Sequence, residues 1–347
     1  MHAGLRLDIH PDGAIFNHGD SHESFLDEFD ATLERRESGE LSEARFIAAL
    51  KDLIKRRPDF IDAQTHLGLA LMAQGKYKPA LDAHERALAI GEAAIPDGYA
   101  GRIEWGWLEN RPFLRAAHGV VLCQLALGRR REAVELIERM LIWNPEDNQG
   151  LRFIVGSQYL RLGDLEKARR IFEEQAEEYP PYWYELALAR IMSRDWVGAA
   201  TALRRGFVEN IYIGELLSGA MCLEHLVFWH GSNLAEPEIA DDYLQRLGDQ
   251  WAQVENALAF ARWLYHHPKA MAERAAILEC RENLLWEAEI DKRRAIIAHA
   301  SALIERIDDD MSRPITAERK DARGRMSAPW LYWREPTPRR RGRKGAK

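Results

Sequence analysis

The chain has 347 residues, a 46% hydrophobic share and a net charge of −7. That share excludes wholesale disorder, and the length allows a substantial buried core. The net charge hides an asymmetry: residues 313–347 hold 12 Lys/Arg and 3 Asp/Glu, a net +9, which leaves −16 on the rest.

Helix formers dominate and alternating strand patterns are scarce, so the chain reads as all-α. Residues 1–24 read as an irregular, polar N-terminus, whose His10, His18 and His22 match no zinc spacing. Helix is expected from about Phe25. Phe25, Leu26, Phe29 and Leu33 make one apolar stripe. Gly39 turns the chain, and Ala44, Ile47, Leu50 and Ile54 make a second stripe, ended by Pro58. The pair reads as an atypical N-terminal repeat, whose outer face meets water.

A clear repeat starts near Ile61, with Leu67 and Gly68 in its first helix and Gly75, Tyr77, Ala80 and Ala87 after it. The next turn glycine comes only at Gly128, 53 residues on, so about 19 residues, roughly 93–111, are inserted. The insertion's core is EWGWLENRP, and Pro112 suits the first turn of the following helix. Trp105 and Trp107 are expected to anchor this loop by packing. After it, Gly128, Ala133, Ile137 and Pro145 recur 35 residues later as Gly163, Ala168, Phe172 and Pro180. Glycine ends one helix, a small residue lets two helices approach, and proline stops the second. Two adjacent copies resemble the tetratricopeptide repeat, a helix–turn–helix of about 34 residues. A fourth copy runs through Trp183, Leu186, Trp196, Ala199 and Leu203, with SRDW in place of the turn glycine.

The expected architecture is therefore a tetratricopeptide-type α-solenoid over 25–215. A helical extension follows over 216–310, and a basic disordered tail over 311–347. Within the extension, Leu216–Trp229 is apolar enough for a buried helix, Tyr243–His267 reads as one or two helices, and Met271 to about Ile307 as one long helix or two.

The repeats imply binding through the first helices, which line the concave face of such arrays. Its groove positions are Thr65/Leu69, His118/Leu122, Phe153/Ser157 and Tyr184/Leu188. Glu109, Asn110, Arg111, Arg115, His118, Asn148 and Arg152 lie beside them. Arg can grip a carboxylate and Asn a peptide backbone, or the same groups can hold the insertion against the repeats. The tail pairs Trp330 and Trp333 with Arg339, Arg340, Arg341, Arg343 and Lys344, a combination suited to stacking on bases and neutralising phosphates. Homo-oligomerisation through the C-terminal helices is the remaining alternative.

Phosphate loops, GxSxG, HExxH and paired cysteines are lacking, so neither catalysis nor a cofactor or metal is expected. Cys123, Cys222 and Cys280 are widely spaced and suit a reducing compartment. With no basic–apolar leader and no run of about 20 apolar residues, a cytoplasmic protein is expected.

The segments ENRPFLRAAHG (Glu109–Gly119) and NPEDNQGLR (Asn144–Arg152) resemble the suppressor-of-tumorigenicity-7 family and its bacterial relatives. The resemblance is best from about Arg102 to Leu217. It implies a tetratricopeptide-like fold and no particular chemistry. Animal members are regarded as membrane proteins, a localisation that does not transfer to a chain without a spanning segment.

Overall fold

The computed structural model describes residues 4–19 and 22–332. The chain divides into two compact units, Met1–Gly163 and Asp164–Lys347. Among the described residues the fold is all-α and built of helix–turn–helix repeats, with two short antiparallel hairpins beside the helices.

The first unit opens with a hairpin, β1 (Arg6–His10) and β2 (Gly13–Asn17), where irregular chain was expected. The period-2 pattern of Leu7, Ala14 and Phe16 buries one face of it. Helices α1 (His22–Glu37) and α2 (Glu43–Arg56) form the first pair, and the Ser42 hydroxyl caps α2 by accepting from Arg45 N–H. Their core joins Phe29, Phe46, Leu50 and Leu53 to Phe60 and Leu67. Then come α3 (Ile61–Ala73), α4 (Tyr77–Glu92), α5 (Arg111–Ala126), α6 (Arg130–Trp143) and α7 (Arg152–Leu162).

The repeat punctuation has a common geometry. Gly75, Gly128 and Gly163 all lie at φ between 71° and 81°, and Ala80, Ala133 and Ala168, five residues after each, are fully buried. At the fourth turn Arg194 takes φ 58° where glycine stands elsewhere, and Ala199 is again buried. A left-handed backbone costs a side-chain-bearing residue about 1–2 kcal/mol. Arg194→Gly is therefore expected to raise stability by about 0.5–1 kcal/mol, after the extra unfolded-chain entropy of glycine is subtracted. A higher urea midpoint at unchanged slope would confirm this; a lower one would mean the arginine side chain outweighs the strain.

The second unit holds α8 (Leu165–Gln175), α9 (Pro181–Met192), α10 (Trp196–Glu209), α11 (Ile211–Ser218), α12 (Pro237–Gln253) and α13 (Ala257–Tyr265). After these come α14 (Pro268–Trp286), α15 (Ile290–Glu305) and α16 (Asp309–Thr316). The stretch from Met271 to Ile307 is thus two helices, parted where Glu287 leaves the helical region at ψ 120°. The apolar run Leu216–Trp229 is not a helix. Gly219, at φ 110°, ends α11, and Met221 and Val227 are 97% and 76% exposed.

Part of the tail is structured as well. Residues 319–327 form the hairpin β3 (Arg319–Lys320) and β4 (Met326–Ser327), followed by α17 (Pro329–Tyr332). Disorder expected from 311 is therefore wrong as far as residue 332. No helix of the described residues is long and apolar enough to cross a membrane.

Candidate functional site

The inserted loop is held by groups that were candidates for ligand binding. Asn110 is fully buried. Its Oδ1 accepts from Phe16 N–H at 2.9 Å, and its Nδ2 donates to Ala14 O at 2.9 Å and Glu104 O at 3.0 Å. Arg111 donates from Nε to Trp105 O at 3.0 Å and lies over that indole. Ile103 N–H donates to Trp143 O, and Trp105 N–H to the Asn144 side chain. Asp147 accepts from the backbone of Leu151 and Arg152 and from Arg152 Nε, so it starts α7. Arg152 also donates to Pro145 O. The Glu109 side chain is exposed while its carbonyl meets His18 Nε2 at 2.9 Å. Asn110 and Arg111 thus brace the loop with side-chain hydrogen bonds, and Arg152 braces the turn that leads into α7. Trp107, expected to anchor the loop, is 53% exposed.

The same interactions revise the reading of the N-terminal histidines. His18 stacks on His22 at 4.3 Å, and His22 meets Phe60 edge-on. Burial, aided by the charges of His18 and Arg57, pushes His22 down to about 4. Both are packed residues of the hairpin region.

A different polar set lies along α3 and α5, which pack side by side. Asp62 is 4% exposed, and burial pushes its carboxyl up to about 6 against the pull of Arg115, 3.6 Å away. His66 bonds the Asp62 carbonyl through Nδ1 at 3.0 Å, and burial lowers it to about 4. Burial also lowers His118, opposed by Asp147. Arg115 Nε, His118 Nε2 and Thr65 Oγ1 have no hydrogen-bond partner among the described residues. On the same helices Leu69 is 42% exposed and Leu122 half-buried. Phe153 on α7 is half-buried too, and Asn148 is exposed.

Beneath this face lies a residue that the sequence reading passed over. His84 of α4 is fully buried, with both ring nitrogens unpartnered. Its ring fills the space left by Gly68 and Gly119, where a Cβ would stand 2.4 Å and 2.3 Å from ring atoms. The available signal was one glycine at the close-approach position of each of two successive first helices.

In the second unit Tyr184 is fully buried and donates to Asn210 O, so it is a core residue instead of a groove residue. Trp330 is 4% exposed, packed on Trp196 at 4.6 Å, Phe260 at 4.8 Å and Trp263 at 5.6 Å. An indole so enclosed has no free face for a base, which corrects its nucleic-acid assignment. Trp333, Arg339, Arg340, Arg341, Arg343 and Lys344 lie outside the described residues.

No family model and no curated protein matches the chain. Solved structures similar to it include the MamA RS-1 ArsTM double mutant, at 16% identity over 53% of this chain and 91% of that one, with TM-score 0.40. A structure titled for the functional characterization of Pseudomonas aeruginosa pilF is 14% identical over 69% of this chain and 97% of that one, TM-score 0.39. Naa15/Naa10 bound to HypK-THB gives 17% identity over 80% of this chain and 39% of that one, TM-score 0.36. Likenesses this distant have no bearing on what the chain does.

Proposed function

We propose that the chain is a non-enzymatic adaptor or scaffold that binds a protein or peptide along the exposed face of α3, α5 and α7. The observation that carries this reading is the mixed surface there: 42%-exposed Leu69, half-buried Leu122 and Phe153, and the 37%-exposed side chain of Arg115, whose NH1 lies 3.6 Å from Asp62. Apolar side chains beside one such cation suit an amphipathic peptide carrying a carboxylate. The loop supports this face from behind. In this reading the likeness of Glu109–Gly119 and Asn144–Arg152 to the suppressor-of-tumorigenicity-7 family reflects a shared way of bracing the insertion, since Asn110 and Asn144 both hold it.

The test is capture of partners from the source cells by four chains: wild type, Leu69→Asp, Arg115→Gln and a chain ending at Tyr332. Ending at Tyr332 keeps buried Trp330 and Ser312. The reading expects one protein to be lost with both substitutions, at unchanged helicity, and retained by the shortened chain. Recovery of nucleic acid that disappears with residues 333–347 would move the function to the tail.

A further inference from the structure

Between α11 and α12 the chain runs from Gly219 to Glu236 with one 3-10 turn, Asn233–Ala235. Hydrophobic burial does little to hold this connection: only Phe228 and Ala235 of it belong to the core. Loops this long without a core of their own are commonly functional. This one returns three times to a single point. His225 Nε2 stands 2.8 Å from Glu236 Oε2, and His230 Nε2 stands 3.9 Å from the same oxygen. One donor atom from each of the three residues lies within 4.8 Å of the others.

We propose that His225, His230 and Glu236 form a binding site for a single divalent transition-metal ion of the zinc type, which staples the 219–236 loop to the start of α12. Two imidazoles and a carboxylate are the donor set that zinc takes with a fourth position left to water. At zinc–ligand distances of about 2.0–2.1 Å, tetrahedral donors sit roughly 3.3 Å apart. The observed 2.8 Å and 3.9 Å straddle that value, and all three donor atoms lie within 4.8 Å of one another, so a bound metal would draw the two histidines together.

The surroundings of the site orient its ligands. The His230 ring is held between Phe228, stacked at 4.2 Å, and Tyr212 of α11, stacked at 5.7 Å. The Phe228 backbone also hydrogen-bonds this imidazole. The Tyr212 hydroxyl accepts from Leu226 N–H at 2.9 Å and stands at hydrogen-bond distance, 2.7 Å, from His230 Nε2. A metal would take the place of this contact at Nε2, with the neutral imidazole as its ligand. The buried Asn210 side chain anchors the carboxylate's end of the loop by donating to Leu234 O and Glu236 O. Such outer partners fix ring orientation in metal sites. A hydrogen-bonded His–Glu pair would explain His225 and Glu236 alone. It does not account for His230 Nε2, which besides its contact with the Tyr212 hydroxyl stands 3.9 Å from the same oxygen.

The test titrates the full-length, chelator-stripped protein with zinc chloride by calorimetry and with cobalt chloride by visible absorption. One equivalent should bind, cobalt should give tetrahedral ligand-field bands, and zinc should protect the 219–232 peptides from protease. His225→Ala is the primary variant, because that side chain is 59% exposed and its loss spares the fold. It and Glu236→Gln should each weaken binding roughly tenfold or more. Cys222→Ser should leave it unchanged, since that exposed thiol lies outside the donor cluster. Absence of stoichiometric binding, binding that survives His225→Ala unchanged, or loss only with Cys222→Ser would each overturn the proposal.

Discussion

Glu273→Ala is expected to cost the second unit about 3–5 kcal/mol, the usual penalty for stranding a buried charge. The charge stranded is Arg204, 1% exposed on α10. Its guanidinium forks onto the Glu273 carboxylate of α14, Nε to Oε2 at 2.8 Å and NH2 to Oε1 at 2.5 Å. NH1 donates to Asp308 O and to Ser312 Oγ at the start of α16. One arginine therefore ties together three helices, and its hydrogen bonds are met only while all three are in place. Arg204→Met with Glu273→Leu should recover most of the loss, because two apolar side chains leave no uncompensated charge. Urea unfolding followed by circular dichroism measures both. A single-variant loss below about 1 kcal/mol would show that water reaches the guanidinium. The same network predicts that a chain cut at Asp310 is less stable, since the cut removes Ser312.

Acidification should weaken the first unit, with the fully buried His84 as one main contributor beside His22 and His66, all lowered to about 4. Burial lowers the His84 imidazole to about 4 from the usual 6.5, with the charges of His118 and His66 adding to the effect. A histidine depressed in the fold takes up its proton more readily when unfolded. Its stabilising contribution is complete above pH 6.5 and is lost as pH falls towards 4. For a fully buried ring the span of that loss is about 3 kcal/mol. His66, also lowered to about 4 by burial, acts in the same direction. Asp62 acts in the opposite one, because a carboxyl raised to about 6 gains protons in the fold and stabilises it as pH falls from 6 towards 3.8. The net expectation is a urea midpoint that declines from pH 7 to 4.5. In His84→Leu the decline should be shallower. Identical pH profiles for the two chains would place the acid sensitivity elsewhere. Gly119→Ala probes the same enclosure from the other side: its Cβ would overlap the imidazole, and overpacking of that kind costs about 1–3 kcal/mol.

The residues that misled the sequence reading did so for identifiable reasons. Leu216–Trp229 has the composition of a buried helix, but Gly219 takes a left-handed turn, and beyond it Met221, Val227 and Trp229 face solvent. Composition counts apolar residues without saying whether a surface exists to cover them. Trp330 and its basic neighbours looked like a nucleic-acid element because aromatic and cationic residues adjoin in sequence. The indole instead fills a gap among Trp196, Phe260 and Trp263, the nearest of which is 67 residues away along the chain. His225, His230 and Glu236 were visible as letters, but nothing local marked them as meeting at one point.

By itself the sequence determined the class of fold and the positions of the repeats. A turn glycine, a small residue five positions on and a terminating proline act through backbone conformation and helix approach, which neighbouring residues control. Arg194 shows how robust that register is, since the turn keeps its left-handed form without glycine. Only the tertiary structure decided what the polar residues are for. Asn110 pairs with a strand 94 residues away, Arg204 with carboxyl and hydroxyl groups 69 and 108 residues on, and His84 with two glycines on flanking helices. A polar side chain serves structure or binding according to whether its hydrogen-bonding capacity is consumed inside the fold, and that depends on partners brought close by packing.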